Sequence, residues 1–177
     1  MEKQFKITKS TVEQYKIRHE SGMYYADIVL DHNGEKGRIQ IASDYGSWQN
    51  YWGSCGCSFK EFLTRIDMWY FAGKVGENNW LDFEATKNKM YQDIKEARMC
   101  RQIDAEEAKE ICMEAKHVFD SANSKSAYEH LIYNSEKIWK LYQDPSSIPV
   151  ETGISPQFKR FFNEAWAAFI EEIKKEI

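Results

Sequence analysis

Residues 43–71 read SDYGSWQNYWGSCGCSFKEFLTRIDMWYF. The two halves of this stretch demand different backbones. Asp44-Tyr45-Gly46 is a turn, because an Asp side chain bonds its own backbone and Gly supplies a positive φ. Ahead of it, Arg38-Ile39-Gln40-Ile41 alternates polar and apolar as a half-buried strand does. Residues 47–52 form the partner strand. Trp48 and Trp52 share one parity and face the core, with Tyr45 and Tyr51 expected on the other face. Ser58 and Glu61 then have the spacing of a capping box. Phe59, Phe62, Leu63, Ile66 and Tyr70 fall on one face of a 3.6-residue period, and Gly73 and Gly76 stand where a helix should end.

Working outward toward the N-terminus, short alternations at residues 4–9 and 13–18 predict strands, and residues 23–30 predict a better one. Asn33-Gly34 is a hairpin signal leading into residues 38–42. The first 55 residues therefore predict an antiparallel sheet of three to five strands, covered by the helix from Ser58.

Toward the C-terminus the period changes. Glu77-Asn78-Asn79 is a turn, and Phe83, Met90, Ile94 and Ala97 place a helix over residues 81–101. Asp104 and Glu107 make a second capping box, with Ile103 and Ala108 as its staple. The helix behind it turns Ala108, Ile111, Cys112, Ala115, Val118 and Phe119 to one side. Ser126 and Glu129 predict a third box and one helix running to Tyr142. Residues 144–153 contain two prolines and read as a loop; Ser155-Pro156 then opens a last helix with Phe158, Phe161, Phe162, Ala165, Phe169 and Ile173 inside. The fold class is α+β: an N-terminal antiparallel sheet with one helix over residues 1–76, then a helical region of about four helices over residues 77–177.

The pattern S-D-Y-G-x-W-x-x-Y-W-G-x-x-G, followed by F-K-x-F-L-x-R-I-D, resembles a segment of small proteins encoded by phages and prophages. It is carried by Ser43, Asp44, Tyr45, Gly46, Trp48, Tyr51, Trp52, Gly53 and Gly56, then by Phe59, Lys60, Phe62, Leu63, Arg65, Ile66 and Asp67. It covers about residues 20–75. The resemblance implies a role inside an infected bacterium and brings no catalytic residues with it.

Composition narrows the function classes. At 177 residues the chain can bury a core without disulfides or metal. The start MEKQFKITKS has no apolar h-region and no run of about 18 apolar residues occurs, so neither a secretion signal nor a membrane span is expected. Cys55, Cys57, Cys100 and Cys112 are then expected as free thiols in a host bacterial cytoplasm. Cys55-Gly56-Cys57 lacks the second pair or histidines of a zinc site, so no metal and no cofactor is expected. His19, His32, His117 and His130 form no H-E-x-x-H, and there is no G-x-S-x-G, P-loop or G-x-G-x-x-G. No catalytic residue is assigned.

Net charge is −4, and residues 82–177, with fourteen basic and eighteen acidic side chains, hold all of the excess. Glu107, Glu110 and Glu114 repeat at i, i+3 and i+7 beside Glu106, an acidic row expected in solvent. The expected function is a non-enzymatic phage accessory protein. It would bind and inhibit a host protein, with a component of a CRISPR-type nucleic-acid-targeting defence system as a candidate partner. Glu106, Glu107, Glu110, Glu114, Tyr45 and Tyr51 are the partner-binding residues. The alternative is direct nucleic-acid binding by the aromatic turn with Lys60 and Arg65; a third is a small enzyme whose site is assembled from distant residues.

Overall fold

A computed structural model describes residues 6–177. The fold is α+β, in two compact units: residues 1–78 with 154–177, and residues 79–153.

In the first unit β1 (Glu13–Arg18), β2 (Tyr25–Asn33), β3 (Lys36–Ser43) and β4 (Gly46–Trp52) form an antiparallel sheet in the order β1-β2-β3-β4. Of the strand expected over residues 4–9, Gln4 and Phe5 lie outside the described residues, and residues 6–9 are not in a strand. Register places Ile28 opposite Ile41 and Ile41 opposite Trp48, so one face of the sheet is continuous and apolar. Gly37 belongs to that face because a Cβ there would lie 2.5 Å from the Phe59 ring.

The expected single helix from Ser58 is two. α1 (Phe59–Leu63) starts as predicted, with Ser58 Oγ accepting from the Glu61 N–H. The reciprocal half of the box is absent, since Glu61 pairs with Arg65 instead. α2 (Met68–Val75) is a new helix: Asp67 has an extended backbone and accepts from the Tyr70 N–H at 2.8 Å. An N-cap stronger than the apolar period ends one helix and begins another. The restart re-phases the buried face, so Phe71 and Ala72 are buried and Tyr70 is exposed. Gly76, at φ 81°, ends α2 in the left-handed conformation.

α7 (Pro156–Phe161), a π-helical turn at Phe162–Trp166 and α8 (Ala167–Ile173) complete this unit. The last helix, expected in the helical region, is therefore a cover for the sheet. Phe158, Phe161, Trp166, Phe169 and Ile173 share a core with Ile28, Ile41, Trp48 and Trp52. Glu77 fastens the two chain segments: its carboxylate accepts from Trp48 Nε1 at 2.7 Å and from Ser155 Oγ at 2.5 Å.

The second unit contains α3 (Phe83–Met99), α4 (Ala105–Ser121), α5 (Lys125–Tyr133) and α6 (Glu136–Tyr142). A two-residue ladder of β5 (Trp80–Leu81) with β6 (Thr152–Gly153) closes its ends. Met90, Ile94, Ile111, Ala115, Val118, Tyr128, Ile132 and Ile138 form the core. α5 is capped by Ser124, not Ser126, and the helix expected to run on to Tyr142 breaks at Asn134-Ser135. No described helix is long and apolar enough to cross a membrane.

Candidate functional site

The acidic row expected on α4 lies against α6. Asp104 accepts from the N–H groups of Glu106 and Glu107, each at 2.8 Å, and Glu107 returns a bond to the Asp104 N–H at 3.0 Å. The capping box is complete, and it fixes where the row begins. Glu107 also pairs with Lys140 at 3.2 Å. The Asp104 N–H first, and Lys140 second, hold its carboxyl below the usual carboxylate range. Glu110 pairs with Lys137. Glu114 accepts from Ser135 Oγ and from the Lys137 N–H, so it caps α6 from across the interface. Ser135, the residue at the N-cap position, makes no side-chain cap of its own. A carboxylate at a helix N-terminus also meets the positive end of the helix dipole.

Between these helices runs a groove of about 380 Å³. Ile103, Ile111 and Leu141 supply its apolar floor; Glu107, Glu110, Glu136, Lys137 and Lys140 rim it. Glu106 and Glu136 have no ion-pair partner among the described residues and are exposed. Glu107, Glu110 and Glu114 of the row are thus engaged by α6 or its N-cap residue and Glu106 stays open, where sequence periodicity predicted uniformly solvated glutamates. Lys137, Lys140 and Leu141 were not singled out by the sequence. The available signal was the Glu136-Lys137…Lys140 spacing, whose basic positions complement Glu107 and Glu110 only if α6 packs antiparallel enough to bring them together.

The two tyrosines separate. Tyr51 is 56% exposed on the outer face of β4, its Cα opposite that of Arg38. Tyr45 is buried, contrary to expectation. It sits in the two-residue turn between β3 and β4, so the alternation that orients Tyr51 does not reach it. Its hydroxyl donates to Glu164 at 2.5 Å, and its ring stacks on Tyr24 with centroids 5.6 Å apart. Arg160 lies 4.1 Å above the Tyr24 ring and donates to Glu164 at 2.8 Å. Burial first, then Glu164, pushes the Tyr45 hydroxyl up to about 12.

Trp48 and Trp52 face inward as expected. Lys60 is held between Glu13 at 2.6 Å and Glu176 at 2.5 Å, and Arg65 pairs with Glu61. Both cations are thus engaged by carboxylates, and of the turn's rings Tyr45, Trp48 and Trp52 are buried while Tyr51 is exposed. The four cysteines carry free thiols, and burial pushes those of Cys55 and Cys112 up. Among the described residues no three His, Cys, Asp or Glu side chains gather as a metal site would require.

A protein-family model described as a phage family matches residues 5–176, the helical remainder included. No curated protein matches the chain, and no solved structure does.

Proposed function

The chain belongs to that family, Phage_phiTE_072, and on this premise we propose that it is a non-enzymatic accessory protein that binds and inhibits a host protein in the bacterial cytoplasm. The observation that carries the reading is the α4–α6 groove. Its apolar floor within a charged rim has the anatomy of a protein contact. Residues 79–153 hold fourteen acidic and ten basic side chains, whereas the other unit balances at fourteen each. The partner surface that suits this rim is basic. A nucleic-acid-binding cleft of a CRISPR-type effector is such a surface, and occupying it would block the effector. Charge of this kind raises the association rate more than it lengthens residence, and salt screens it.

The test uses the full chain, immobilised, against nuclease-treated bacterial lysate, beside a variant carrying Glu106→Gln, Glu110→Gln and Glu136→Gln. The expected result is a protein retained by the parent. Its association should slow by roughly tenfold in the variant at low salt and converge with the parent at high salt. Equal association rates at low salt, with helicity unchanged by circular dichroism, would remove this groove as the binding surface.

A further inference from the structure

The sheet of the first unit is covered on one face only. The other face presents Lys16, Arg18, Tyr25, Lys36, Arg38 and Tyr51, all exposed. Arg18 pairs with Asp27 at 2.6 Å; Lys16, Lys36 and Arg38 have no ion-pair partner among the described residues. Asp27 and Asp31 are the carboxylates on this face, so four cations oppose two anions. The unit as a whole is neutral; Asp44 accepts from the Tyr25 N–H at the end of this face, with Glu20 lining the same pocket as Arg18 and Tyr25, and other acids of the unit are engaged by its own side chains. Glu13 and Glu176 hold Lys60, Glu77 holds Trp48 and Ser155, and Glu164 holds Tyr45 and Arg160. The sheet thus separates a basic face from a side where carboxylates are consumed.

The centre of the open face is polar. Register sets Gln14, Val29, Gln40 and Gln49 in one transverse row, and the three glutamines are exposed. A protein-docking patch concentrates apolar side chains at its middle; this one places amide donors and acceptors there and rings at its corners. Tyr51 lies level with Asp31 on β2, six residues along from Tyr25. At the usual strand rise the two rings are about 20 Å apart along the sheet, far enough for each to stack a different base. Beside Tyr51 a depression of about 180 Å³ is lined by Asp31, His32, Asn33, Lys36 and Arg38. At the other corner Arg18 stands 5.4 Å over the Tyr25 ring.

We infer that the open sheet face binds single-stranded nucleic acid: Lys16, Lys36 and Arg38 meet phosphates, Tyr51 and the Tyr25–Arg18 pair stack bases, and the glutamine row lies beneath the bases between them. The strand must be single because only unstacked bases offer their faces to exposed rings. This surface shares Tyr51 with the aromatic turn suggested by sequence but uses neither Lys60 nor Arg65, and it shares no residue with the α4–α6 groove.

The test is fluorescence anisotropy of a fluorescein-labelled twelve-residue oligothymidylate with the full chain, across a salt series. Binding is expected at low salt, weakening with a slope of about −0.7 per phosphate contacted. Lys36→Ala with Arg38→Ala should flatten that slope by roughly 1.4. Tyr51→Ala should weaken binding at least about fivefold while leaving the slope alone, and Tyr51→Phe should restore it. Circular dichroism confirms that each variant is folded. The inference is overturned if the parent does not bind the oligonucleotide, if it binds a twelve-base-pair duplex more tightly, if Tyr51→Ala binds as the parent does, or if Tyr51→Ala instead loses a nuclease-resistant protein partner.

Discussion

Among the described residues, nine of the twenty buried in the sheet-bearing core are aromatic, against one of ten in the helical core. That contrast sets how each unit resists change. Rings such as Phe71 touch several others at once: Trp52, Phe158 and Trp166 lie with centroids 4.8–6.3 Å from it. Removing one leaves a large void among neighbours that cannot all move in. The helical unit packs smaller side chains and holds its helices with caps, such as Asp104–Glu107, and cross-helix bonds, such as Glu114–Ser135. Its stability is spread over many modest contributions. The contrast also divides charge: balanced in the first unit, acidic in the second.

The sharpest way to break this comparison is to truncate one core residue in each unit. Phe71→Ala should cost about 3–5 kcal/mol, and Ile132→Ala in the helical core should fall toward the lower end of about 2–5 kcal/mol, both read from urea midpoints. Equal costs would mean that the aromatic core is not the more tightly interlocked of the two. Next in size is the cap. Asp104→Ala removes the acceptor of two backbone N–H groups and should destabilise the helical unit by about 1 kcal/mol, with loss of helicity on mild heating.

Acid sharpens the comparison from the other side. Lys60 first, with Tyr15 and His32 adding to it and burial opposing, holds the Glu13 carboxyl down at about 2 from an ordinary 4.5. Glu176 is lowered by the same Lys60. A depressed carboxylate contributes stability that is present above its unfolded value and is lost as pH falls through its folded one. The sheet-bearing unit should therefore weaken between about pH 4.5 and 2. Lys60→Met should lower the urea midpoint at pH 7 and converge with the parent near pH 2. A gap that persists undiminished in acid would show that the substitution acts through packing. The smallest effect expected is at the groove rim: Lys140→Ala breaks an exposed pair with Glu107 and should shift stability by only a few tenths of a kcal/mol. A loss beyond 1 kcal/mol would make the rim a structural element.

What the sequence determined by itself was local. Alternation oriented Trp48 and Trp52 inward and Tyr51 outward, and the box at Asp104 and the Ser155-Pro156 start appeared as written, because each depends only on backbone period and on side chains three or four residues away. The antiparallel sheet and the helices α3 and α4 followed from the same rules. Tertiary structure alone decided the rest. Phe158, Phe161 and Phe169 give a helix an apolar face without saying which apolar surface it will meet; the sheet took it, so the C-terminus closes the first unit. Apolar spacing ran unbroken through Asp67 and Ser135, yet helices restart there, since a cap competes with the period and contacts elsewhere choose between them. Tyr45 is buried by a bond to Glu164, 119 residues away. Glu107 and Glu110 of α4 met lysines from α6, whereas Lys16, Lys36 and Arg38 of the open sheet met no carboxylate among the described residues, because the exposure of a charge depends on which element folds back beside it.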